Sequence, residues 1–207
     1  NALDYNAYFG RMSMDQFTLP ASSGAWSTVR DKIFNGGNPT FCSLFLGIED
    51  ALPYAKSGAT TNPMTPLLGL PGVGFEESFV AWADGFSVQN IKAVVGTIPD
   101  ITQMPYFTTI PYNGLNLDAE KAASLNQIYG PLGFSFTVGS NSFMIEDPTA
   151  GAFGVRPMVE GELILLSVPL DSMKCHQYGS VYPLRDEFVL TIAELQEISN
   201  QLLAYNQ

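Results

Sequence analysis

Positive charge, histidine and long hydrophobic runs are what this chain has least of. Nine Lys and Arg stand against twenty Asp and Glu, a formal net charge of −11. That excess repels phosphate backbones and anionic lipid surfaces, which argues against nucleic-acid binding. No run approaches the roughly 20 apolar residues that a bilayer-spanning helix needs, so no transmembrane segment is expected. No signal-peptide pattern is visible either. The chain starts at Asn1 and not at Met, so it reads as a processed, trimmed or partly represented product whose export signal or lipid anchor would lie upstream. The one histidine, His176, limits the chemistry. A multi-histidine metal site cannot be built within the chain, and a His-based triad must use His176 or take its base from elsewhere. Its loop, Lys174-Cys175-His176-Gln177-Tyr178-Gly179, favours a solvated surface group. No Gly-x-Ser-x-Gly elbow, P-loop or dinucleotide fingerprint is present. Gly69-Leu70-Pro71-Gly72-Val73-Gly74 is glycine-rich, but no strand precedes it and Pro interrupts it. No cofactor and no metal site is therefore expected. Of the two cysteines, Cys42 lies in an apolar strand and reads as a small core residue. A bond to Cys175 is disfavoured, because a buried strand and a polar loop seldom present matching geometry.

What is there is a core. Hydrophobic residues make up 46% of the 207 positions and charged ones 14%, enough for one globular domain. Pro39–Asp50, PTFCSLFLGIED, is its most informative stretch. Cys42 to Leu46 is nearly all apolar, as in a parallel strand covered on both faces. Gly47 ends the run and Glu49 and Asp50 follow at its carboxyl end, the edge where open α/β sheets bind ligands. Trp26, Val29 and Ile33 predict a helix near 25–35, stopped by Asn35-Gly36-Gly37-Asn38-Pro39. Residues 56–74 read as a surface excursion. Phe75, Phe79, Trp82 and Phe86 form one stripe of an amphipathic helix, and Ile91–Ile98 a second buried strand. Asp118 caps a helix carrying Leu125, Ile128 and Tyr129. Phe143–Ile145 and Glu162–Val168 are further strand candidates. Thr191 and Glu194 form a capping box before a helix that buries Ile192, Leu195, Ile198 and Leu202. The alternation predicts a parallel α/β sheet. Glu49, Asp50, Asp100, Asp147 and Asp171 then gather at strand ends, where solvated or capping roles outweigh binding of a hard cation.

Several tracts together resemble the SGNH/GDSL hydrolases, most closely a lipoprotein-like branch found in Bacteroidetes. They are Asn38-Pro39-Thr40 entering the strand, LGIEDALPYA, GTIPDITQMPYFTTIPYN and VYPLRDEFVLTIAELQEI. The likeness runs from about Asn6 to the C-terminus, with IPDITQMPYFTTIPYN its most specific element. It implies a flavodoxin-like three-layer α/β/α sandwich with a parallel sheet. Residues 1–207 would be the C-terminal portion of a single SGNH-hydrolase-like domain whose first strand, with the nucleophilic Ser of a Gly-Asp-Ser-like motif, lies upstream. The family's Gly-x-Asn-Asp supplies an oxyanion donor, and its late Asp-x-x-His supplies the base and its orienting carboxylate.

Carried over by position, Gly47 and Asp50 match, while Glu49 stands where the Asn donor belongs. An ionised carboxylate has no N–H and repels a developing oxyanion. Asp186 matches the late Asp, but Val189 stands where the His belongs. The resemblance therefore implies an esterase or acylhydrolase for a lipid or acylated-glycan ester, catalytically impaired in this chain. The alternative is a non-catalytic, SGNH-like protein of the bacterial cell envelope that binds a ligand or partner. Tyr54, Tyr106, Phe107, Tyr112 and Asn113 would line the binding site. His176 is the one residue that could move into the base role. The expected partners are a small-molecule, lipid or glycan ester, an upstream segment of the same protein, or an envelope protein. The branch implies export to the periplasm or outer membrane of a Gram-negative bacterium.

Overall fold

A computed structural model describes residues 39–69 and 73–207. The helix expected near 25–35, the Asn35–Asn38 stop and positions 70–72 of the glycine-rich tract lie outside the described residues. The chain is mixed α/β, and its contacts group into two compact units. One comprises Asn1–Tyr54, Asn62–Ile101 and Glu197–Gln207; the other comprises Ala55–Thr61 and Thr102–Gln196.

In the first unit, strand β1 (Phe41–Leu44) pairs in parallel with β2 (Lys92–Val95), Phe41 opposite Lys92 and Leu44 opposite Val95. Between them run helix α1 (Ile48–Lys56) and helix α2 (Phe75–Val88). The aromatic stripe of α2 behaves as its spacing predicts: Phe75, Trp82 and Phe86 are buried. The strands are shorter than expected, and they are not covered on both faces. Phe41, Phe45, Val94 and Val95 are each at least half exposed, because each strand has one neighbour among the described residues.

The second unit is built from short antiparallel pairs. Strand β3 (Leu115–Leu117) pairs with β4 (Gly139–Asn141), β5 (Met144–Glu146) with β6 (Val155–Pro157), and β7 (Leu163–Ile164) with β8 (Val189–Leu190). The wholly parallel sheet expected from the alternation is thus limited to β1 and β2. The long strand expected over Glu162–Val168 shrinks to two residues, because the chain turns after Ile164: the Val168 N–H donates back to Leu165 O at 3.0 Å. The short helices α3 (Pro105–Thr108) and α5 (Leu170–Cys175) and the longer α4 (Ala119–Tyr129) complete the unit.

Asp118 caps α4 by accepting the Lys121 N–H at 2.8 Å. Leu125 and Tyr129 are buried as expected, whereas Ile128 is exposed. Two apolar clusters form the interior. One gathers Phe143, Ile145, Met158, Ile164, Val168, Leu184 and Val189. The other gathers Leu117, Ala122, Leu125, Tyr129, Phe136 and Met144.

The capping box is present. The Thr191 N–H and Oγ1 donate to Glu194 Oε2 at 2.7 and 2.8 Å, opening the last helix, α6 (Ile192–Tyr205). Ile198, Leu202 and Tyr205 are its buried residues, while Ile192 at the first position is exposed. Tyr205 stacks on Phe75 with ring centroids 4.2 Å apart. The Asn206 side chain clamps Ile98, accepting its N–H at 2.8 Å and donating to its O at 3.0 Å. An amide thereby supplies the paired donor and acceptor that a neighbouring strand would offer at that point.

Candidate functional site

The residues singled out in the sequence fall in both units. In the first, Gly47 turns the chain between β1 and α1. Its φ of +107° suits only glycine, and a Cβ there would overlap the Ile98 side chain. Glu49 and Asp50 lie in the first turn of α1, a helix the sequence pattern did not signal because Pro53 sits inside it. Carboxylates in a first helical turn meet the positive end of the helix dipole, which favours both side chains at these positions. Asp50 is buried, and its backbone O accepts the Thr65 N–H at 3.0 Å. Tyr54 donates to Glu197 Oε2 at 2.8 Å. Beside this turn lies a cavity of about 630 Å³. Leu44, Leu46, Phe75, Phe79, Ile98 and Tyr205 are among its lining residues, with Glu76 the charged one; Glu49 and Asp50 do not line it.

In the second unit, Asp186 opens a single 3₁₀ turn, Asp186–Phe188, directly before β8. Burial, with the charge of Asp147 added, raises its pKa above the ordinary carboxylate range. The turn is held from the other side by Gly58, whose φ is +61° and whose Cβ would come within 2.6 Å of Asp186 O. Val189, which the resemblance sets in place of a histidine, is 1% exposed and pairs with Ile164. His176 is exposed and follows the last residue of α5, whose Ser172 O accepts its N–H at 2.9 Å. Nothing in the described residues draws it towards Asp186.

Tyr106 is half-buried, carries Lys56 Nζ 5.6 Å above its ring, and meets Phe107 edge to face. Phe107 itself is fully buried, so it supports Tyr106 from below. Among the described residues no group of three His, Cys, Asp or Glu is arranged to hold a metal ion. The strand-end carboxylates disperse instead: Asp171 lies in the first turn of α5 and Asp100 is exposed. Asp147 is taken up by an ion network. Cys42 and Cys175 are both free thiols, and burial raises the pKa of Cys42, which disfavours its thiolate.

Two groupings carry no signal in the sequence. The first is the ion network of Arg156. Its Nε donates to Asp147 Oδ2 at 2.6 Å, and its Nη1 and Nη2 donate to the two oxygens of buried Glu162 at 2.9 and 2.6 Å. The Val159 N–H also donates to Glu162 Oε2, and the Thr149 N–H and Oγ1 donate to the remaining oxygen, Asp147 Oδ1. Burial opposes the charge on Asp147, but the bonds from Thr149 and Arg156 prevail and lower its pKa. Hydrogen bonds to Glu162 raise that of Arg156.

The second grouping is a groove of about 490 Å³. There Tyr112 and Asn113 meet Ser135, Ser140, Asn141 and Ser142, over Phe136, Pro157 and Met158. Tyr112 and Asn113, adjacent in sequence, both line it, whereas Tyr54, Tyr106 and Phe107 do not. The serines were missed because they come from β4 and its flanks, more than twenty residues downstream. No helix of the described residues is long and apolar enough to cross a membrane. No family model, no curated protein and no solved structure matches the chain.

Proposed function

We propose that the chain is an SGNH/GDSL-like domain that has lost efficient ester hydrolysis and acts by binding a ligand. The proposal includes the flavodoxin-like three-layer sandwich, and the parallel β1–β2 pair joined through α2 supports it at the coarse level. The observation that carries the functional reading is Val189. The position that should present an imidazole to the substrate holds an aliphatic side chain inside the β7–β8 pair, packed with Ile164 and Leu184 in one apolar cluster. Valine accepts no proton, so the step in which a base takes the serine proton has no agent there.

Glu49 adds a second loss. An ionised carboxylate at the oxyanion-donor position raises the energy of a tetrahedral intermediate, and losing one donor typically costs ~3 kcal/mol of transition-state stabilisation. His176 is too exposed, and too little held, to replace the missing base. The ligand class consistent with the family is a lipid or acylated-glycan ester, and the setting is the envelope of a Gram-negative bacterium.

The test is turnover of p-nitrophenyl butyrate and labelling by a fluorophosphonate, both on the full-length protein. Neither is expected. Labelling at a serine together with turnover would establish the competing reading, an active acylhydrolase with its nucleophile outside residues 1–207. Grafting the family residues back is a poor substitute for that test. Val189→His would bury an imidazole among aliphatic side chains at a cost of about 2 kcal/mol or more.

A further inference from the structure

We propose that the groove between the Tyr112–Asn113 turn, β4 with its flanks and the end of β6 is a binding site for an uncharged saccharide. This names the ligand class of the binding reading above and rests on it. The first reason is the charge of the lining. In a chain of net charge −11, none of Tyr112, Asn113, Ser135, Phe136, Ser140, Asn141, Ser142, Pro157 and Met158 carries a charge. A site for a carboxylated or phosphorylated ligand needs cationic donors, and a site for an acyl chain needs an apolar lining, whereas this one is rich in hydroxyls and amides.

The second reason is which of these polar groups the fold already uses. Ser140 Oγ donates to Asn113 O, tying β4 to the Tyr112–Asn113 turn. The Asn141 side chain is committed, accepting the Thr137 N–H at 3.0 Å and donating to Thr137 O and Gly139 O at 2.7 and 2.9 Å. No hydrogen bond within the described residues involves the Tyr112 hydroxyl, the Asn113 amide or the hydroxyls of Ser135 and Ser142. Neutral groups that both donate and accept are what a sugar's hydroxyls require, since each of those also does both. Tyr112, half-buried, adds aromatic surface on which the C–H face of a pyranose can rest.

The third reason is rigidity. The Asn126 side chain clamps the backbone of Phe136, accepting its N–H at 2.7 Å and donating to its O at 2.9 Å. The Phe143 N–H donates to Tyr112 O at 3.0 Å and the Met158 N–H to Phe143 O at 2.8 Å. Both walls are therefore set before a ligand arrives, which reduces the entropy lost on binding.

The experiment is an NMR titration of the isotope-labelled full chain with maltotriose and chitotriose, and with digalacturonate and decanoate as the charged and acyl controls. At least one neutral trisaccharide should give saturable amide shifts at Tyr112, Asn113, Ser140, Ser142 and Met158, with both controls at least about tenfold weaker. Asn113→Ala and Ser142→Ala should each weaken the neutral ligand by about fivefold to tenfold. Asn113 is exposed, so its variant keeps the fold if Ser142→Ala does not. No saturable shift with either neutral sugar up to about 10 mM, shifts mapping away from the groove, or tighter binding of a control would each overturn the proposal. Serine labelling with saccharide binding intact would instead sink the non-catalytic reading and leave the groove standing.

Discussion

The two units hide their apolar residues to different degrees, although both come from an equally hydrophobic sequence. In the second unit, three short antiparallel pairs enclose two clusters, and Met144, Ile145, Ile164, Val189 and Leu190 of β5, β7 and β8 are at most 1% exposed. In the first, β1 and β2 form a parallel pair whose Phe41, Phe45, Val94 and Val95 stay at least half exposed among the described residues. The physical difference is topological. Antiparallel neighbours a few residues apart can close a small core with local turns, whereas parallel strands need a crossover and further strands to cover both faces. A residue type therefore predicts burial only when the sheet around it is known.

The sharpest break in the comparison is the ion network of the second unit. Arg156→Ala would leave Glu162 buried without its partner, so a loss of about 3 kcal/mol is expected. Urea denaturation with hydrogen exchange should place that loss in residues 144–190. A change under 1 kcal/mol would show that water reaches Glu162 readily.

Next comes one substitution made twice. Val189→Thr adds a hydroxyl to a position 1% exposed, whereas Val94→Thr adds it to one 52% exposed. The first should cost about 1.5 kcal/mol and the second less than about 0.5. Equal costs in thermal unfolding would mean that the outer face of β2 is covered in solution.

A smaller effect belongs to the capping box. Thr191→Ala should remove about 1 kcal/mol, detected as faster amide exchange in the first turn of α6, with little change elsewhere.

The smallest is a pH effect that opposes two neighbours in the second unit. Asp186 has a raised pKa, so its folded form holds its proton longer than the unfolded chain does. Its penalty on stability develops as pH rises from the unfolded value through the folded one, and Asp186→Asn should stabilise the protein at pH 7 but not near pH 3. Asp147 has a lowered pKa, and its contribution is present at neutral pH and lost as pH falls through the folded value. Thermal unfolding of Asp186→Asn and Asp147→Asn across this range should move in opposite directions at pH 7. A shift in the same direction would contradict the assignment.

Much of the local structure was legible in the sequence. The α2 stripe, the Asp118 cap and the Thr191–Glu194 box depend on residues within one or two turns of each other, and short-range spacing records them directly. The strands were less legible. Ile91–Ile98 reads as one apolar run, but its pairing covers only Lys92–Val95, and Asn206, more than a hundred positions away, takes up the backbone of Ile98. Helix α1 was hidden by Pro53, and its existence turns Glu49 and Asp50 from rim carboxylates into first-turn residues. Of the candidate site, only the adjacent pair Tyr112 and Asn113 lines the groove. Tyr106 and Phe107 instead pack on each other and under Lys56.

The sequence by itself determined the charge, the single histidine and the helices whose signals are local. Tertiary structure alone decided that Val189 is buried, that Arg156 joins Asp147 to Glu162, and that three serines meet Tyr112 and Asn113. Each of these depends on which distant segments pair. Pairing is set by the summed burial of whole faces, and no short window of sequence contains it.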